Sequence, residues 1–218
     1  MCAILEKIKI YIKKKTYLWR LLLFKKPKYF KYLFVWMKSS KSNSLKDNVP
    51  WLTFECQEWL DSVLNKNMTV LEWGSGGSTV YISKKVKKMI SIEHIPEWHA
   101  SVVKELQKNN IENCEYILKK YDENKGYKNY YEAIDSFPDE TFDLVIIDGR
   151  SRNSCISYAM RKIKKEGFLL LDNSERKRYS PGMDLLKNWE RKDILGVGAY
   201  NAEEWQATIW KKREKEIE

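Results

Sequence analysis

Cysteine and histidine are scarce in this chain of 218 residues, which has four of the first and two of the second. The cysteines lie far apart and show neither a Cys-x-x-Cys pair nor the Cys/His spacing of a zinc site. Disulfide frameworks are typical of small secreted domains, and nothing in this spacing indicates one. We therefore predict reduced, mostly structural cysteines and a cytoplasmic protein. The cysteines are Cys2, Cys56, Cys114 and Cys155.

Long uncharged apolar runs are also absent from the sequence. A transmembrane helix needs about 20 predominantly apolar residues, and no stretch of this chain comes near that length without a charge. Lysines interrupt the apolar residues at the start of the chain, and no small-residue cleavage site follows them. The sequence therefore predicts neither a membrane span nor a secretory signal.

Acidic residues are nearly missing from one part of the chain. Residues 1–41 have 12 lysines and arginines against one acid, Glu6, whereas residues 42–218 have 28 against 29. The overall charge of +10 belongs to the first segment, and the rest is close to neutral. A near-neutral body disfavours nucleic acid as a partner, because nucleic-acid binding depends on a basic surface.

The basic first segment, residues 1–41, has the pattern of an amphipathic helix. Apolar residues recur at three- and four-residue spacing with most lysines off that face, and Pro27 is expected to end or kink the helix. A basic, aromatic helix of this kind is typical of one that lies on an anionic membrane surface, here at the cytoplasmic face. The alternative is a helix that packs on the body or on a second subunit. The spaced apolar residues are Ile4, Ile8, Tyr11, Leu18 and Leu22.

Residues 42–48 are polar and predict a linker, and residues 49–218 form the main domain. Short apolar segments alternate there with helical patterns, which predicts an α/β fold with a mostly parallel sheet and helices on both faces. The last two segments are joined by a few polar residues, so the final strand is expected to be antiparallel. The strand segments are TVLEW, MISIE, CEYILK, FDLVIID, GFLLLD, ILGVGAY and WQATIWKK.

Acids stand at or near the carboxyl ends of most predicted strands. In doubly wound sheets, ligands bind beyond these ends, where the strand order reverses. A carboxylate that ends an apolar strand is costly unless it is solvated or paired, so several acids on one rim indicate a binding site. The acids are Glu72, Glu93, Asp122, Asp148 and Asp172.

The stretch VLEWGSGGST, from Val70 to Thr79, joins the first strand to a helix through a glycine-rich loop. Such glycines let a ligand approach the backbone at a helix N-terminus; the alternative is a tight turn that only connects two elements. Glu93 lies 21 residues after Glu72, the spacing of an acid that binds ribose hydroxyls in nucleotide-binding βαβ units. Because the loop lacks the G-x-G-x-x-G pattern, we expect a ligand that has a ribose but needs no phosphates.

The segments VLEWGSGGST, ISIEH, FDLVIIDG and GFLLLDN resemble, in order and spacing, the motifs of class I S-adenosylmethionine (SAM)-dependent methyltransferases. The resemblance covers about residues 50–212 and implies a Rossmann-like, doubly wound, seven-stranded sheet whose last strand is antiparallel. The basic segment of residues 1–41 adds an N-terminal helical appendage to this fold. It also implies that the glycine loop wraps the methionine part of SAM, that Glu93 binds the ribose, and that Asp122 or its neighbours lie near the adenine. The implied cofactor-binding residues are Glu72, Gly74, Ser75, Gly76, Gly77, Ser78, Glu93, His94, Asp122 and Asp148.

Arginines follow the fourth and fifth strands, in loops over the expected site. Their guanidinium groups suit a carboxylate or a phosphate, which favours an anionic acceptor; solvated charged loops are the alternative. We predict methyl transfer from SAM to the oxygen of a small or glycan-like acceptor, with an anionic sugar as one candidate. The predicted substrate-binding residues are Arg150, Arg152, Asn173 and Arg176.

Asp148 and Asp172 are the candidates for a general base that activates the acceptor. With Asn173 they are similar to the metal ligands of catechol O-methyltransferase and its relatives, which carry an acid after strand four and an Asp-Asn pair after strand five. This similarity implies Mg²⁺ or a similar hard cation as a second cofactor. Those relatives carry a lysine where this chain has Ser151, and arginines flank that position, so a metal-free mechanism is the rival hypothesis.

Two other functions are compatible with the same motifs. An RNA methyltransferase is expected to have a basic body with aromatic residues for base stacking, which the near-neutral residues 42–218 do not favour. A membrane-tethered binding module of the same fold would hold its ligand without turnover. Binding of SAM without transfer to any acceptor would distinguish this module from an enzyme.

Overall fold

The computed structural model of the protein describes residues 27–39, 42–201 and 203–213. Its helices are α1 (Leu33–Ser39), α2 (Ser44–Asp47), α3 (Phe54–Val63), α4 (Gly77–Ser83), α5 (Pro96–Lys108), α6 (Lys128–Tyr131), α7 (Arg152–Lys162) and α8 (Ser180–Asp184). Its strands are β1 (Thr69–Trp73), β2 (Lys88–Glu93), β3 (Cys114–Leu118), β4 (Phe142–Ile147), β5 (Ile163–Leu171), β6 (Glu190–Gly196) and β7 (Trp205–Lys211). Short 3₁₀ helices lie at Pro27–Tyr32, Glu132–Ser136 and Lys177–Tyr179.

The strands form one seven-stranded sheet in the order β3-β2-β1-β4-β5-β7-β6. Strands β1 to β5 are parallel to their neighbours among themselves, whereas β7 is antiparallel to both β5 and β6. This confirms the predicted Rossmann-like, mostly parallel sheet with an antiparallel last strand. Strands β2 and β3 lie on one side of β1 and β4 lies on the other, so the strand order reverses between β1 and β4.

The sheet is buried on both faces. Alternate residues of each central strand point to opposite sides, and an apolar cluster covers each side. In β4, Val145 and Ile147 belong to one buried cluster, whereas Leu144 and Ile146 belong to the other. Parallel strands that are covered on both sides need such continuous apolar runs, and FDLVII supplies one. The two clusters fix the register of the strands and so the positions of the strand ends.

Strand β5 begins at Ile163, four residues before the GFLLLD segment from which the sequence predicts it. Residues 164–166 are charged and half-buried or exposed. The pairing of β5 with β4 also shifts register between Phe142 and Leu144. An exposed strand start lacks the apolar run of the buried part, and the sequence pattern therefore missed it.

Helix α1 lies within the predicted N-terminal segment and packs on the main domain. Leu33 and Trp36 are buried in a cluster with Phe54, at the start of α3, and with residues that follow β6. The indole Nε1 of Trp36 donates a hydrogen bond to the backbone oxygen of Asn201 at 2.9 Å. For the described part of the segment, these contacts agree with the alternative hypothesis, in which the segment packs on the body of the protein. Residues 1–26, which carry most of the predicted amphipathic pattern, lie outside the described residues.

The predicted linker, residues 42–48, contains α2. Asn43 caps this helix, with its side-chain oxygen accepting a hydrogen bond from the backbone N of Lys46 at 3.0 Å. Leu45 is buried against α4 and α5, so the segment is fixed to the sheet through these helices. The division of the chain into a basic segment, a linker and a main domain stays a prediction. Within the described ranges, no helix has the length and apolar composition of a membrane span.

Candidate active site

A cavity of about 690 Å³ opens at the carboxyl ends of β1, β2 and β4, where the strand order reverses. Doubly wound sheets bind their ligands at this place, and small-molecule sites have volumes of about 300–1,000 Å³. The loop after β5 also contributes to the lining. The predicted site residues that line the cavity are Gly74, Ser75, Glu93, His94, Asp148, Arg150, Arg152 and Arg176.

The Glu93 carboxylate, at the end of β2, is fixed from two sides. Its Oε2 accepts hydrogen bonds from the backbone N (3.2 Å) and Oγ (2.9 Å) of Ser75. Its Oε1 accepts hydrogen bonds from the backbone N of His94 (2.7 Å) and of Ile95 (2.9 Å). Glu93 is only 3 % exposed, and these donors offset the cost of burying its charge. The carboxylate therefore lines the cavity in one fixed orientation.

Ser75 connects the glycine loop to β3 and α5. Its Oγ lies 2.6 Å from the phenol oxygen of Tyr116, and its backbone oxygen accepts a hydrogen bond from Trp98 Nε1 at 2.8 Å. The Tyr116 ring stacks on the His99 imidazole, with centroids 4.1 Å apart. Sequence reasoning missed the role of Tyr116, because a tyrosine inside a strand carries no signal of what it contacts. These contacts preorganise the loop for a ligand.

His94 follows Glu93 and lines the same cavity. Its ring meets the rings of Tyr127 and Tyr130 at steep angles, with centroids 5.5 Å apart in both pairs. Burial lowers the pKa of His94, although the neighbouring Glu93 opposes this effect. His94 therefore presents a neutral imidazole to the cavity at neutral pH.

Glu72, at the end of β1, is buried and lies outside the cavity lining. Its carboxylate accepts hydrogen bonds from Ser78 Oγ (2.8 Å), Ser91 Oγ (2.8 Å) and the Thr79 hydroxyl. Burial raises the pKa of Glu72 to about 7, and the three hydroxyl donors oppose that rise. Glu72 thus ties β1 to β2 and to the start of α4. The contacts of Glu72 and Ser78 with SAM stay predictions.

Two glycines of the loop are needed for close backbone packing. Gly74 has φ +94°, a conformation that favours glycine, and a Cβ there would lie 2.7 Å from the backbone N of Gly149. A Cβ on Gly77 would collide with the backbone oxygen of Ser44. The glycine-rich pattern therefore has a structural cause at both positions. Approach of a ligand stays a prediction at Gly74, which lines the cavity, whereas Gly76 and Gly77 lie outside its lining.

Arg152, the first residue of α7, joins the ends of β4 and β5. Its guanidinium donates hydrogen bonds to the backbone oxygens of Asp148 (Nη2, 2.6 Å), Gly149 (Nε, 3.0 Å) and Asp172 (Nη1). It also pairs with the Asp148 carboxylate, with 2.8 Å between Nη2 and Oδ1. The side chain is only 7 % exposed. Arg152 thus acts as a clamp within the protein, and its predicted contact with the substrate stays a prediction.

Asp148 and Asp172 meet at this clamp, where Arg152 donates to the Asp148 carboxylate and to the backbone oxygen of Asp172. Asp172 is buried, and its Oδ1 accepts a hydrogen bond from Trp205 Nε1 at 2.9 Å. Burial and the adjacent charge of Asp148 raise the pKa of Asp172 well above its usual value. The Asp148 side chain is 38 % exposed, but many protein atoms surround its carboxyl and desolvate it. This desolvation raises the pKa of Asp148, and the charge of Arg152 opposes the rise. Asp172 therefore holds a proton more readily than Asp148, which is paired with Arg152.

Arg150, Arg176 and Arg178 also line the cavity. The charge of Arg176 acts on Asp148 and lowers its pKa. The guanidinium of Arg178 lies over the Tyr179 ring, 5.0 Å from its centroid. The sequence predicted the first two arginines as substrate contacts, and the structure extends the same basic lining to Arg178. The side of the cavity near β5 therefore carries positive charge that attracts anions.

The residues predicted to hold Mg²⁺ meet at a smaller cavity of about 260 Å³, which Asp148, Asp172 and Asn173 line. The Asp148 carboxylate is already paired with Arg152, and Asp172 accepts the Trp205 hydrogen bond. A guanidinium in this position repels a cation. In the part of the chain that the structure describes, no group of three or more His, Cys, Asp or Glu residues is arranged to hold a metal ion. The residues present do not fit a divalent cation.

Asp122 lies in the loop after β3, away from the main cavity. Its Oδ1 accepts hydrogen bonds from the backbone N of Asn124 and of Lys125, both at 2.9 Å, which closes a tight turn. Asp122 lines a separate cavity of about 530 Å³, together with residues 129–136 in part. Its predicted position near an adenine therefore stays a prediction.

The residues around the large cavity fit SAM as a cofactor. The volume is sufficient for a ligand of that size. The Glu93 carboxylate is fixed at the cavity wall, and Gly74 lies beside it in the lining. A neutral His94 and the charged Asp148 complete this side of the lining.

Proteins of known structure share this fold. An O-methyltransferase of Streptomyces achromogenes involved in tomaymycin synthesis, solved with SAM, has a TM-score of 0.61 and 14 % identity over 85 % of this chain and 95 % of that one. An rRNA methylase of Streptococcus thermophilus has a TM-score of 0.54 and 14 % identity over 72 % and 94 % of the two chains. A tRNA (m1A58) methyltransferase of Aquifex aeolicus has a TM-score of 0.52 and 14 % identity over 72 % and 66 %. At these identities the likeness shows the fold alone.

The sequence itself identifies the family. The family model of protein-L-isoaspartate(D-aspartate) O-methyltransferases matches residues 24–135, just over half of the chain. No curated protein sequence matches the chain. The fold and the family match define a class I SAM-dependent methyltransferase, as the motifs predicted. Within this class, the chain belongs to the protein-L-isoaspartate(D-aspartate) O-methyltransferase family.

The raised pKa of Glu72 makes the stability of the protein depend on pH. The carboxyl ionises near pH 4.5 in the unfolded chain and near pH 7 in the folded one, so the folded state loses stability as pH rises between these values. The loss amounts to about 3 kcal/mol, because each pKa unit corresponds to 1.36 kcal/mol. We expect Glu72→Gln, which keeps hydrogen-bonding groups but cannot ionise, to lack this part of the pH dependence.

Urea unfolding at pH 5 and pH 8 measures this effect. The free energy of unfolding of Glu72→Gln minus that of the wild type should be larger at pH 8 than at pH 5. Glu115→Gln changes an exposed glutamate of β3 and is the matched control, which should follow the wild type. Parallel pH curves for the wild type and Glu72→Gln would contradict the raised pKa.

Proposed function

We propose that the protein methylates a hydroxyl oxygen of a small or glycan-like acceptor that carries a negative charge, such as a sugar acid. The observation that carries this proposal is the position of Asp148, which lines both the large and the small cavity. The large cavity offers the volume and the groups for SAM. The small one offers a place for the acceptor beside a carboxylate of raised pKa.

Gly74, Ser75, Glu93 and His94 are the residues that would hold SAM on the β1 and β2 side of the large cavity. When bound, SAM supplies a methyl group activated by a positively charged sulfonium. The Glu93 and Asp148 carboxylates line the same cavity, and negative groups in a partly enclosed site favour a cationic ligand.

The exposed arginines support an anionic acceptor. Arg150 and Arg176 are exposed and line the large cavity, and Arg176 also lines the small one. Their guanidinium groups suit a carboxylate through paired hydrogen bonds. Arg152, in contrast, is buried and donates to backbone oxygens, so it holds the site together and leaves anion binding to its exposed neighbours.

Asp148 is the general base of the proposed mechanism. Its carboxylate accepts the proton of the acceptor hydroxyl, which leaves the oxygen able to attack. A raised pKa makes Asp148 a stronger base than an ordinary carboxylate. The ion pair with Arg152 holds the carboxylate in one orientation.

The family name describes the O-methylation of an isoaspartate, which is a carboxyl acceptor. A carboxylate is already deprotonated at neutral pH and needs no base. Such an acceptor would use the arginines but not the paired Asp148 and Asp172. The presence of this pair at the junction of the two cavities therefore favours a hydroxyl acceptor.

We also propose that the reaction needs no metal ion. Deprotonation by Asp148 supplies the activation that a cation would otherwise provide. The ion pair between Arg152 and Asp148 disfavours the Mg²⁺ that the similarity to catechol O-methyltransferase implies.

The test is transfer of a labelled methyl group from SAM by the full-length protein in the presence of EDTA. Methyl α-D-glucuronide, an isoaspartyl peptide and an RNA fragment serve as acceptors. We expect a methyl ether on the saccharide and no gain on adding Mg²⁺. Glu93→Ala is the control, and its SAM affinity by calorimetry should fall about tenfold or more because charged hydrogen bonds are lost.

Each proposal can fail separately in this assay. Transfer only to the peptide or only to RNA would contradict the acceptor class. Activity that disappears in EDTA and returns with Mg²⁺ would contradict the metal-free mechanism. SAM binding without transfer to any acceptor would favour the binding module.

The role of Asp148 predicts a pH-dependent rate. Protonation removes the base, so kcat should fall at acid pH, and burial shifts this fall to a higher pH than for an ordinary aspartate. We expect Asp148→Asn to lower kcat by a factor of about 10²–10⁴ and to remove the acid limb of the profile. The measurement is kcat between pH 5 and pH 9 at saturating SAM and acceptor.

The matched control is Asp61→Asn, which changes an exposed aspartate of α3 and should keep the wild-type profile. SAM affinity of Asp148→Asn by calorimetry separates lost binding from lost chemistry. An unchanged acid limb in Asp148→Asn would rule out Asp148 as the base.

We propose, finally, that residues 1–41 attach the protein to an anionic membrane surface. The exposed side chains of Phe30 and Val35 support the proposal, whereas the packing of α1 on the main domain supports the alternative. The full-length protein should sediment with phosphatidylserine vesicles at low salt and be released by salt, because screening weakens the attraction of lysines to the surface. A lack of sedimentation at low salt would contradict the proposal.

A further inference from the structure

The small cavity, of about 260 Å³, has a lining unlike that of the large one. Two tryptophans, Trp51 and Trp205, and two asparagines, Asn173 and Asn201, line it. Aromatic side chains with a few placed polar groups are the usual lining of a ligand site, and the volume is smaller than the about 300–1,000 Å³ of sites for larger molecules.

Trp51 is unusual because this large apolar residue is 52 % exposed. Its ring contacts the Tyr200 ring at a steep angle, with centroids 5.9 Å apart. Tyr200 is itself fixed, since its hydroxyl donates to Asp47 Oδ2 at 2.7 Å and its backbone N donates to Ser39 Oγ at 3.0 Å. An exposed indole that is held by fixed neighbours forms a preorganised platform for a ligand.

Trp205 contributes in a different way. It is buried, and its Nε1 is engaged by the hydrogen bond to Asp172. Its ring therefore has no polar atom left for a ligand, and the hydrogen bond fixes the Asp172 carboxyl at the lining. Asn201 is fixed through its backbone oxygen, which accepts the hydrogen bond from Trp36 in α1. The walls of the cavity are thus held in place before a ligand binds.

We propose that this cavity is the acceptor subsite and binds a single sugar ring stacked on Trp51. The proposal rests on the proposed function and refines it by naming the ring and its position. The C–H groups of a sugar carry partial positive charge and favour the negative face of an indole, and its hydroxyls suit amides and carboxyls, which accept or donate. A cavity of about 150 Å³ holds benzene, so this cavity suits one six-membered ring with its substituents.

The two residues that the cavities share determine how the ring is oriented. Asp148 and Arg176 line both cavities. A ring on Trp51 places a hydroxyl toward Asp148 and an acidic substituent toward Arg176, which makes a uronic acid the favoured class. A nucleobase also stacks on tryptophan, but it offers fewer hydroxyls to a lining that combines two amides with two carboxyls and a guanidinium.

The experiment measures the binding of methyl α-D-glucuronide to the full-length protein by saturation-transfer difference NMR titration. Trp51→Ala should weaken saccharide binding about tenfold or more, because the aromatic platform is lost. Trp51→Phe keeps an aromatic face and should lose no more than about threefold. Phe34→Ala, an exposed aromatic of α1 outside the cavity, should bind like the wild type. SAM affinity by calorimetry should be unchanged in all three variants.

Three results would overturn the subsite. The first is equal saccharide affinity in the wild type and Trp51→Ala, and the second is a wild type that binds SAM but no saccharide. The third is a Trp51→Ala variant that loses binding to an RNA trinucleotide but not to the saccharide. A wild type that does not bind SAM overturns the proposed function itself, so the two failures are distinct. If melting curves show that Trp51→Ala is unfolded, Asn201→Ala replaces it in the titration. A fall in saccharide affinity in Asn201→Ala but not in Trp51→Phe would then support the subsite, and unchanged affinity in Asn201→Ala would overturn it.

Discussion

The guanidinium of Arg152 holds the ends of β4 and β5 together through three backbone oxygens and one carboxylate. Without this cation, Asp148 and Asp172 would place two carboxyls side by side among buried atoms, where like charges repel strongly. Arg152 lets Asp148 keep its charge while Asp172 keeps a proton. Both cavities border on Asp148, so the proposed base, the acceptor subsite and the wall of the SAM site all depend on this one clamp.

The acids at the ends of β1 and β2 are stabilised without a clamp of this kind. Three hydroxyls surround Glu72, and the donors to Glu93 are a serine hydroxyl and backbone N–H groups. Uncharged donors leave the negative charge of Glu93 in place at the cavity, whereas Glu72 has a raised pKa and lies outside the lining. The β1 and β2 side of the site is therefore negative, whereas the side near β5 carries exposed arginines. This polarity suits a cationic donor on one side and an anionic acceptor on the other.

The sheet and its strand ends were predictable because apolar runs locate the strands and the acids follow them directly. Glu93 lies where the sequence placed it, at the end of β2 and at the cavity. The contact of Ser75 with Tyr116 was not predictable, because neither periodicity nor spacing encodes which side chains meet across elements. The role of Arg152 was not predictable for the same reason. In the sequence it resembles Arg150, and only the packing of α7 buries one of them and leaves the other exposed.

The backbone contact between Gly74 and Gly149 also bears on the order in which the site assembles. The two residues lie 75 positions apart in the chain, and closing so long a loop costs more entropy than forming a local contact. The hydrogen bonds between Ser75 and Glu93 belong to one compact βαβ unit, whereas Asp148 joins them only when β4 pairs with β1. During synthesis, Ser75 and Glu93, which are proposed to hold the cofactor, therefore leave the ribosome well before Asp148, the proposed base.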